Sequence, residues 1–218
     1  EKGMELWHVP GMSVSVVTKD EVAFQKGFGK TALKNGKAID EHTLFAIAST
    51  TKAMVVAGLL ILADEEKLSL DDPIIKHVPE LHFENPMLTQ NLMVRDLLAH
   101  RTGLPSTVYW SFLQNMPLDE QIRRLRGVEN QAPVRTRMIY QNTMFEIAGL
   151  LIERLSGQRW HDYLTERLWH PIGMQETYGE RAQIRDDQVH VMPYHYLNDE
   201  LVLAKWDFPA EFADAAGS

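Results

Sequence analysis

Two short stretches of the chain carry residues whose types and spacing could do chemistry together. In "FAIASTTKAM", Ser49 is followed three residues later by Lys52. If a helix begins near Ser49, positions i and i+3 share one face, and hydroxyl and amine come within reach of each other. A serine hydroxyl is a poor nucleophile until a base takes its proton. A lysine can be that base when loss of water and the positive end of a helix lower its hold on its own proton. The same helix start offers backbone N–H groups to an oxyanion. Taken alone, Ser-x-x-Lys more often marks a capping serine beside a solvated lysine.

The second stretch is "RMIYQNTMFEIAG", in which Tyr140 stands two residues before Asn142. A tyrosine on a turn ahead of a buried helix can point its hydroxyl into a cleft. There it can shuttle a proton where cations stabilise the phenolate. The Asn142 amide can hold a carbonyl or the lysine, and it is also a good helix cap. A packed tyrosine and a capping asparagine are the plainer alternative.

The elements that must position these groups can be read from periodicity. "MSVSVVTKDEVAFQKGFG" alternates Met12, Val14 and Val16 with Ser13 and Ser15, turns at Lys19-Asp20, and resumes with Val22 and Phe24, which predicts a hairpin over 12–29. From about residue 50, Val55, Val56, Leu59, Leu60 and Ala63 follow a 3.6-residue period, with Pro73 closing the region. "VRDLLAHRTGLP" predicts a short helix stopped by Gly103, and "LDEQIRRLRG" a polar amphipathic one whose Arg123, Arg124 and Arg126 form a solvated face. "NTMFEIAGLLIERLSG" is the strongest helical pattern, capped by Asn142, stopped by Gly157, and buried along Met144, Ile147, Ala148, Leu151 and Leu155. "RWHDYLTERLWHPIG" predicts a further helix ending at Pro171 and Gly173. "HVMPYHYL" and "ELVLAKW" read as two strands around Asn198-Asp199. The expectation is an α+β protein: an N-terminal hairpin, a helical region over about 50–175, and C-terminal strands over about 189–206, with the sheet built from both ends of the chain.

Composition excludes several classes. The 218 residues are 44% hydrophobic and 24% charged, with a net charge of −8, so a core can form and a phosphate-binding basic face is not expected. Nucleic acid is therefore not an expected partner. There is no cysteine, hence no disulfide and no thiolate metal site. No apolar run approaches the length of a transmembrane helix. "GFGKT" at 27–31 lacks the upstream glycine of a phosphate loop, since position 24 is Phe24, and there is no G-x-S-x-G elbow. His77 and His82, like His190 and His195, are five apart and do not match H-E-x-x-H, so loop histidines are expected rather than a metal site. Tyr109 and Trp110 read as aromatics on a loop.

Ser49-Thr50-Thr51-Lys52, "LLAHRTGLPS", and Tyr140-Gln141-Asn142, in that order, resemble the serine β-lactamase and penicillin-binding-protein superfamily. The nearest branch is the class C β-lactamase-related one, which includes esterases and D-amino-acid peptidases. "VPGMSVSVV", "KLSLDDPIIKHVPE" and "LIERLSGQRWHDYLTERLWHPIGM" extend the resemblance from about residue 8 to the end.

The resemblance implies one β-lactamase/transpeptidase-like domain over 1–218, with an antiparallel sheet and a helical subdomain. It implies Ser49 as the acyl-accepting nucleophile, Lys52 as its activating partner, Tyr140 as the proton relay to the leaving group and Asn142 as a substrate-binding amide. The implied substrate is a small molecule or peptide with an amide, ester or β-lactam carbonyl, and neither an organic cofactor nor a metal is implied. Many members are exported, which implies an extracytoplasmic site of action.

One family feature is missing. The Lys- or His-led Thr-Gly triplet that walls the cleft and supplies part of the oxyanion hole does not follow Tyr140; "HRTG" at 100–103 precedes it and matches another segment. The expectation is that the C-terminal strands and helix of the domain lie outside this chain: either it is a fragment, or the rest was cleaved, or a partner supplies them, a C-terminal segment of the same protein being one candidate. The alternative is a non-catalytic relative that keeps the scaffold for binding or assembly.

Overall fold

The computed structural model describes residues 2–107, 110, 116–204 and 215. The chain divides into two compact units, Glu1–Ala46 with Arg181–Phe212, and Ile47–Glu180 with Ala213–Ser218. The expected α+β composition is observed, with the strands in the first unit and the long helices in the second.

The first unit joins segments from both ends of the chain. A short helix, α1 (Lys2–Leu6), precedes an antiparallel hairpin of β1 (Gly11–Val17) and β2 (Val22–Gly29), in register from Gly11↔Gly29 to Val16↔Phe24. A second hairpin pairs β3 (Tyr194–Leu197) with β4 (Glu200–Leu203). Its turn places Asn198 and Asp199 at φ 50° and 63°, the doubly left-handed geometry that suits the strand twist and that Asn and Asp tolerate. Among the described residues, the continuous sheet expected from both chain ends is instead two separate two-stranded sheets. The two chain segments meet at a parallel bridge, where Leu44 N–H bonds Val189 O at 2.8 Å and Val191 N–H bonds Leu44 O at 3.1 Å. The alternation along β1 is weakly expressed in burial: Met12 and Val14 are half-buried, but Val16 is exposed.

The second unit holds the hydrophobic core. Helix α2 (Thr51–Asp64) packs on α6 (Thr143–Ser156) and on α7 (Trp160–Leu164), with the shorter α3 (Pro86–Asn91), α4 (Val94–Leu98) and α5 (Leu118–Arg124) around them. Val55, Leu59 and Leu62 of α2 meet Met144, Ile147, Ala148 and Leu151 of α6 in one buried cluster. The buried face of α2 differs from the one expected. It runs Thr51, Lys52, Val55, Gly58, Leu59, Leu62, while Leu60 is exposed. The helix is apolar nearly all round, so hydrophobicity alone does not choose its inner face. Gly58 helps choose it, because a Cβ there would stand 2.5 Å from Leu164 Cδ2 and 3.2 Å from Ile152 Cδ1. The helix also ends at Asp64, well before Pro73, with Glu66 at φ 59°.

Helix α6 is the expected one, closed by Gly157 at φ 76°. After α7 the chain widens into a π turn (Thr165–Trp169), then tightens into a 3-10 turn (His170–Ile172) that ends at Gly173 with φ 88°. Arg123 and Arg124 pair with Glu120 on the exposed side of α5. His77 Nε2 lies 2.8 Å from Asp72, whose carboxyl is held far below the usual carboxylate range, first by Lys76, then by the Ser69 N–H and by His77. Trp110 packs half-buried against the core, and Tyr109 lies outside the described residues.

The end of α4 departs from expectation in a way that matters for the site. The helix stops at Leu98, and it is His100, at φ 54°, that turns the chain, ahead of Gly103 at φ 80°. The segment leading to Tyr140 is laid on this turn. Arg135 Nε and Nη2 bond the two Asp96 oxygens at 2.8 and 2.6 Å, Arg135 N–H bonds Arg101 O at 2.9 Å, and Ile139 N–H bonds His100 O at 2.9 Å. Asp96 is buried and also accepts the Met93 N–H at 3.0 Å, capping α4. Replacing Arg135 with Met leaves that carboxylate buried with its main partner gone. We expect Arg135→Met to lose about 1.5–3 kcal/mol in urea unfolding, from charge-assisted hydrogen bonds removed, and Asp96→Asn added to it to recover part of the loss.

Candidate active site

Ser49 sits on a single 3-10 turn, Ala48–Thr50, that runs directly into α2. Ala48 adopts φ 45°, a left-handed conformation that costs a non-glycine residue about 1–3 kcal/mol and is held only where the surroundings demand it. The turn leaves Ser49 exposed while Thr51 and Lys52 point inward. Lys52 is 7% exposed, so its ammonium has been taken from water. It is compensated from several sides. Lys52 Nζ bonds Ser49 Oγ at 3.2 Å and Asn142 Oδ1 at 3.0 Å, and lies 4.8 Å from the Tyr140 ring centre and 5.3 Å from that of Phe145. Tyr140 Oη stands 2.6 Å from Ser49 Oγ.

The four residues singled out from sequence, Ser49, Lys52, Tyr140 and Asn142, are therefore gathered within one hydrogen-bonded cluster, although Ser49 and Tyr140 are 91 positions apart. Asn142 occupies the N-cap position of α6 but makes no side-chain capping bond there. Its side chain turns to Lys52, and its carbonyl accepts the Phe145 and Glu146 N–H groups at 2.7 and 3.0 Å. The Asn142 side chain thus faces the lysine rather than capping the helix.

Sequence reasoning assigned no role to the residues that hold this cluster in place. Gln141, fully buried between Tyr140 and Asn142, points away from the cluster and bonds the Pro105 carbonyl and the Thr107 hydroxyl, the latter at 2.7 Å. Thr107 Oγ1 is 2.8 Å from Thr143 Oγ1, which donates to Gln121 Oε1 at 2.6 Å, and Gln121 Nε2 reaches Met116 O and Glu146. This buried polar line ties the 105–107 loop, the Tyr140 turn and α5 together. His100 completes the frame. Its Nδ1 accepts the Gln141 N–H at 3.1 Å, and its ring lies 4.5 Å from that of Tyr140 and 5.0 Å from that of Phe145. The sequence signal for His100 was its place in "LLAHRTGLPS", beside a Gly-Pro turn; the buried glutamines and threonines carried no periodic or motif signal.

A beta-lactamase family model matches residues 1–217. The chain belongs to the beta-lactamase family. Unguisins hydrolase ungD′ of Aspergillus campestris is 34% identical over 192 residues, covering 80% of this chain and 34% of the relative. The octameric penicillin-binding protein homologue from Pyrococcus abyssi superposes with a TM-score of 0.86 at 27% identity, over 99% of this chain and 50% of that one. The D-amino acid amidase from Ochrobactrum anthropi SV3, solved with L-phenylalanine amide, gives a TM-score of 0.79 at 28% identity, over 99% of this chain and 62% of that one. This member of the beta-lactamase family thus spans about a third of the length of its curated fungal relative and is related to hydrolases.

Burial, and then the charge of Lys52, push the His100 imidazole below the ordinary histidine value of 6.5. In the interval between the folded value and 6.5 the unfolded chain binds more protons, so stability rises with pH there. The contribution is complete above about pH 6.5 and is lost as the pH falls through that interval. Thermal melts from pH 8 to pH 5 are expected to show a falling Tm, and His100→Asn to flatten the part of the fall due to this ring.

Proposed function

We propose that this chain carries the nucleophile of a serine hydrolase that works through an acyl-enzyme. The observation that carries the reading is the position of Ser49 Oγ, within hydrogen-bond distance of both Lys52 Nζ and Tyr140 Oη. To act as the base, Lys52 must first give up one proton of its buried ammonium to solvent; the neutral amine then gives one hydrogen to Asn142 Oδ1 and turns its lone pair to the Ser49 proton. Ser49 Oγ then attacks a carbonyl carbon, and the electron pair of the C=O bond moves to oxygen. The amides at the start of α2 favour negative charge there. As the tetrahedral species collapses, the bond to the leaving nitrogen or oxygen breaks. Tyr140 delivers a proton to that atom and is reprotonated through Lys52. Water attacks the resulting ester by the reverse proton path and frees Ser49. In this scheme Asn142 orients the lysine and the substrate carbonyl.

The substrate class in this reading is an acyl compound with an amide, ester or β-lactam carbonyl. The amide is favoured by similarity to a D-amino acid amidase.

The test is intact mass spectrometry after exposure to a fluorophosphonate. The expected result is one probe-sized mass increase that disappears in Ser49→Ala. In Tyr140→Phe the rate of labelling is expected to fall about 10²–10⁴-fold, the usual contribution of a positioned proton donor. An adduct that persists in Ser49→Ala would overturn the assignment, and no adduct on the full natural protein would favour a non-catalytic member of the family.

A further inference from the structure

Tyr140, Gln141 and Asn142 leave the 130–139 segment as a turn, and besides the side-chain bonds of Gln141 and Asn142 the turn is held by His100. The imidazole lies beneath it, 8% exposed, against the rings of Tyr140 and Phe145. The backbone of His100 holds the approach to the turn through Ile139 N–H, and its Nδ1 accepts the N–H of Gln141, the residue between the two site residues. A ring nitrogen can accept that bond only while it carries no proton, so the neutral ring must hold its hydrogen on Nε2. A second proton would put an N–H where an acceptor is required and face it with the Gln141 N–H. The charged and titratable groups facing the ring are Lys52 from α2 and Tyr140 from the turn; Phe145 from α6 is apolar, and the Arg101 guanidinium is turned to the Arg135 carbonyl.

We propose that His100 is a positioning residue that latches the Tyr140–Asn142 turn onto Ser49 and Lys52 only in its neutral form, so that protonating it withdraws the Tyr140 hydroxyl from Ser49. The proposal rests on the acyl-enzyme reading for its effect on rate, but the latch itself is a property of the fold. Its left-handed φ of 54° supplies a useful variant. Asparagine tolerates that conformation, and its Oδ1 can accept in place of Nδ1 without titrating. Phenylalanine keeps the ring contacts and removes the acceptor.

Two measurements are made on the same protein between pH 5 and pH 8: the rate of fluorophosphonate labelling, and the NMR shifts of the His100 ring nitrogens and the Gln141 amide. The wild-type rate is expected to fall in acid with the midpoint at which the His100 nitrogens titrate, and the Gln141 amide to move with them. His100→Asn is expected to label close to the wild-type rate at pH 8 and to lose that acid limb. His100→Phe is expected to label about tenfold more slowly throughout, the consequence of a buried donor left unpaired. An acid limb unchanged in His100→Asn, or a Gln141 amide indifferent to the His100 titration, would overturn the proposal. If Ser49 is labelled at no pH while the Gln141 amide still follows His100, the acyl-enzyme reading fails and the latch is upheld.

Discussion

A buried ammonium governs this structure. Lys52 is almost wholly removed from water, and an unpaired charge in such a place would be prohibitively costly. One partner is local, a serine on the preceding turn; the others come from a distant part of the chain, an asparagine at the head of α6 and the faces of two aromatic rings. Satisfying it requires α2 and α6 to pack with their N-terminal ends together. The same requirement draws in the Tyr140 turn and the left-handed Ala48. The helical core supplies the burial energy that makes this arrangement affordable; Val55, Leu59, Ile147 and Leu151 are all fully buried.

Around the ammonium the protein builds a second frame that is polar, buried and made of neutral groups. Thr107, Gln121, Gln141 and Thr143 are each nearly or fully buried and bond one another or backbone carbonyls. Neutral groups of this kind hold a turn without adding charge near Lys52, which would compete with Asn142 and Ser49 for it. His100 belongs to this frame as long as it is uncharged, and burial together with the nearby ammonium keeps it so near neutral pH. The rigid frame lies under Tyr140 and Asn142, while Ser49 faces solvent. That is the division expected of a site that must hold its own groups still and remain open to a substrate.

The two units differ in how their apolar residues are used. In the helical unit the large apolar side chains are largely inside. In the strand unit Ile39 is the buried large aliphatic among the described residues, while Val16, Val17, Phe24, Leu197 and Val202 are exposed. The helical unit therefore carries both the core and the candidate site, and the geometry of the four site residues is set within it.

Much of this was legible in the sequence. The two hairpins and helix α6 with its glycine stop followed from period and turn chemistry, whereas the joining of Ser49-x-x-Lys52 to Tyr140-x-Asn142 was implied only by the family resemblance. Period and turn chemistry are local signals, expressed by residues a few positions apart. The inner face of α2 was not legible, because a helix apolar all round offers no amphipathic choice until Gly58 meets Leu164 and Ile152. Nor was the end of α4, where a left-handed histidine took the place expected of a glycine because its carbonyl and ring are both bonded to the incoming 139–141 segment. The roles of Gln141 and His100, and the choice of Asn142 between cap and lysine partner, were decided only by tertiary structure. Each depends on a group 34 to 90 residues away in the chain, and a hydrogen bond over that separation leaves no period in the sequence to read.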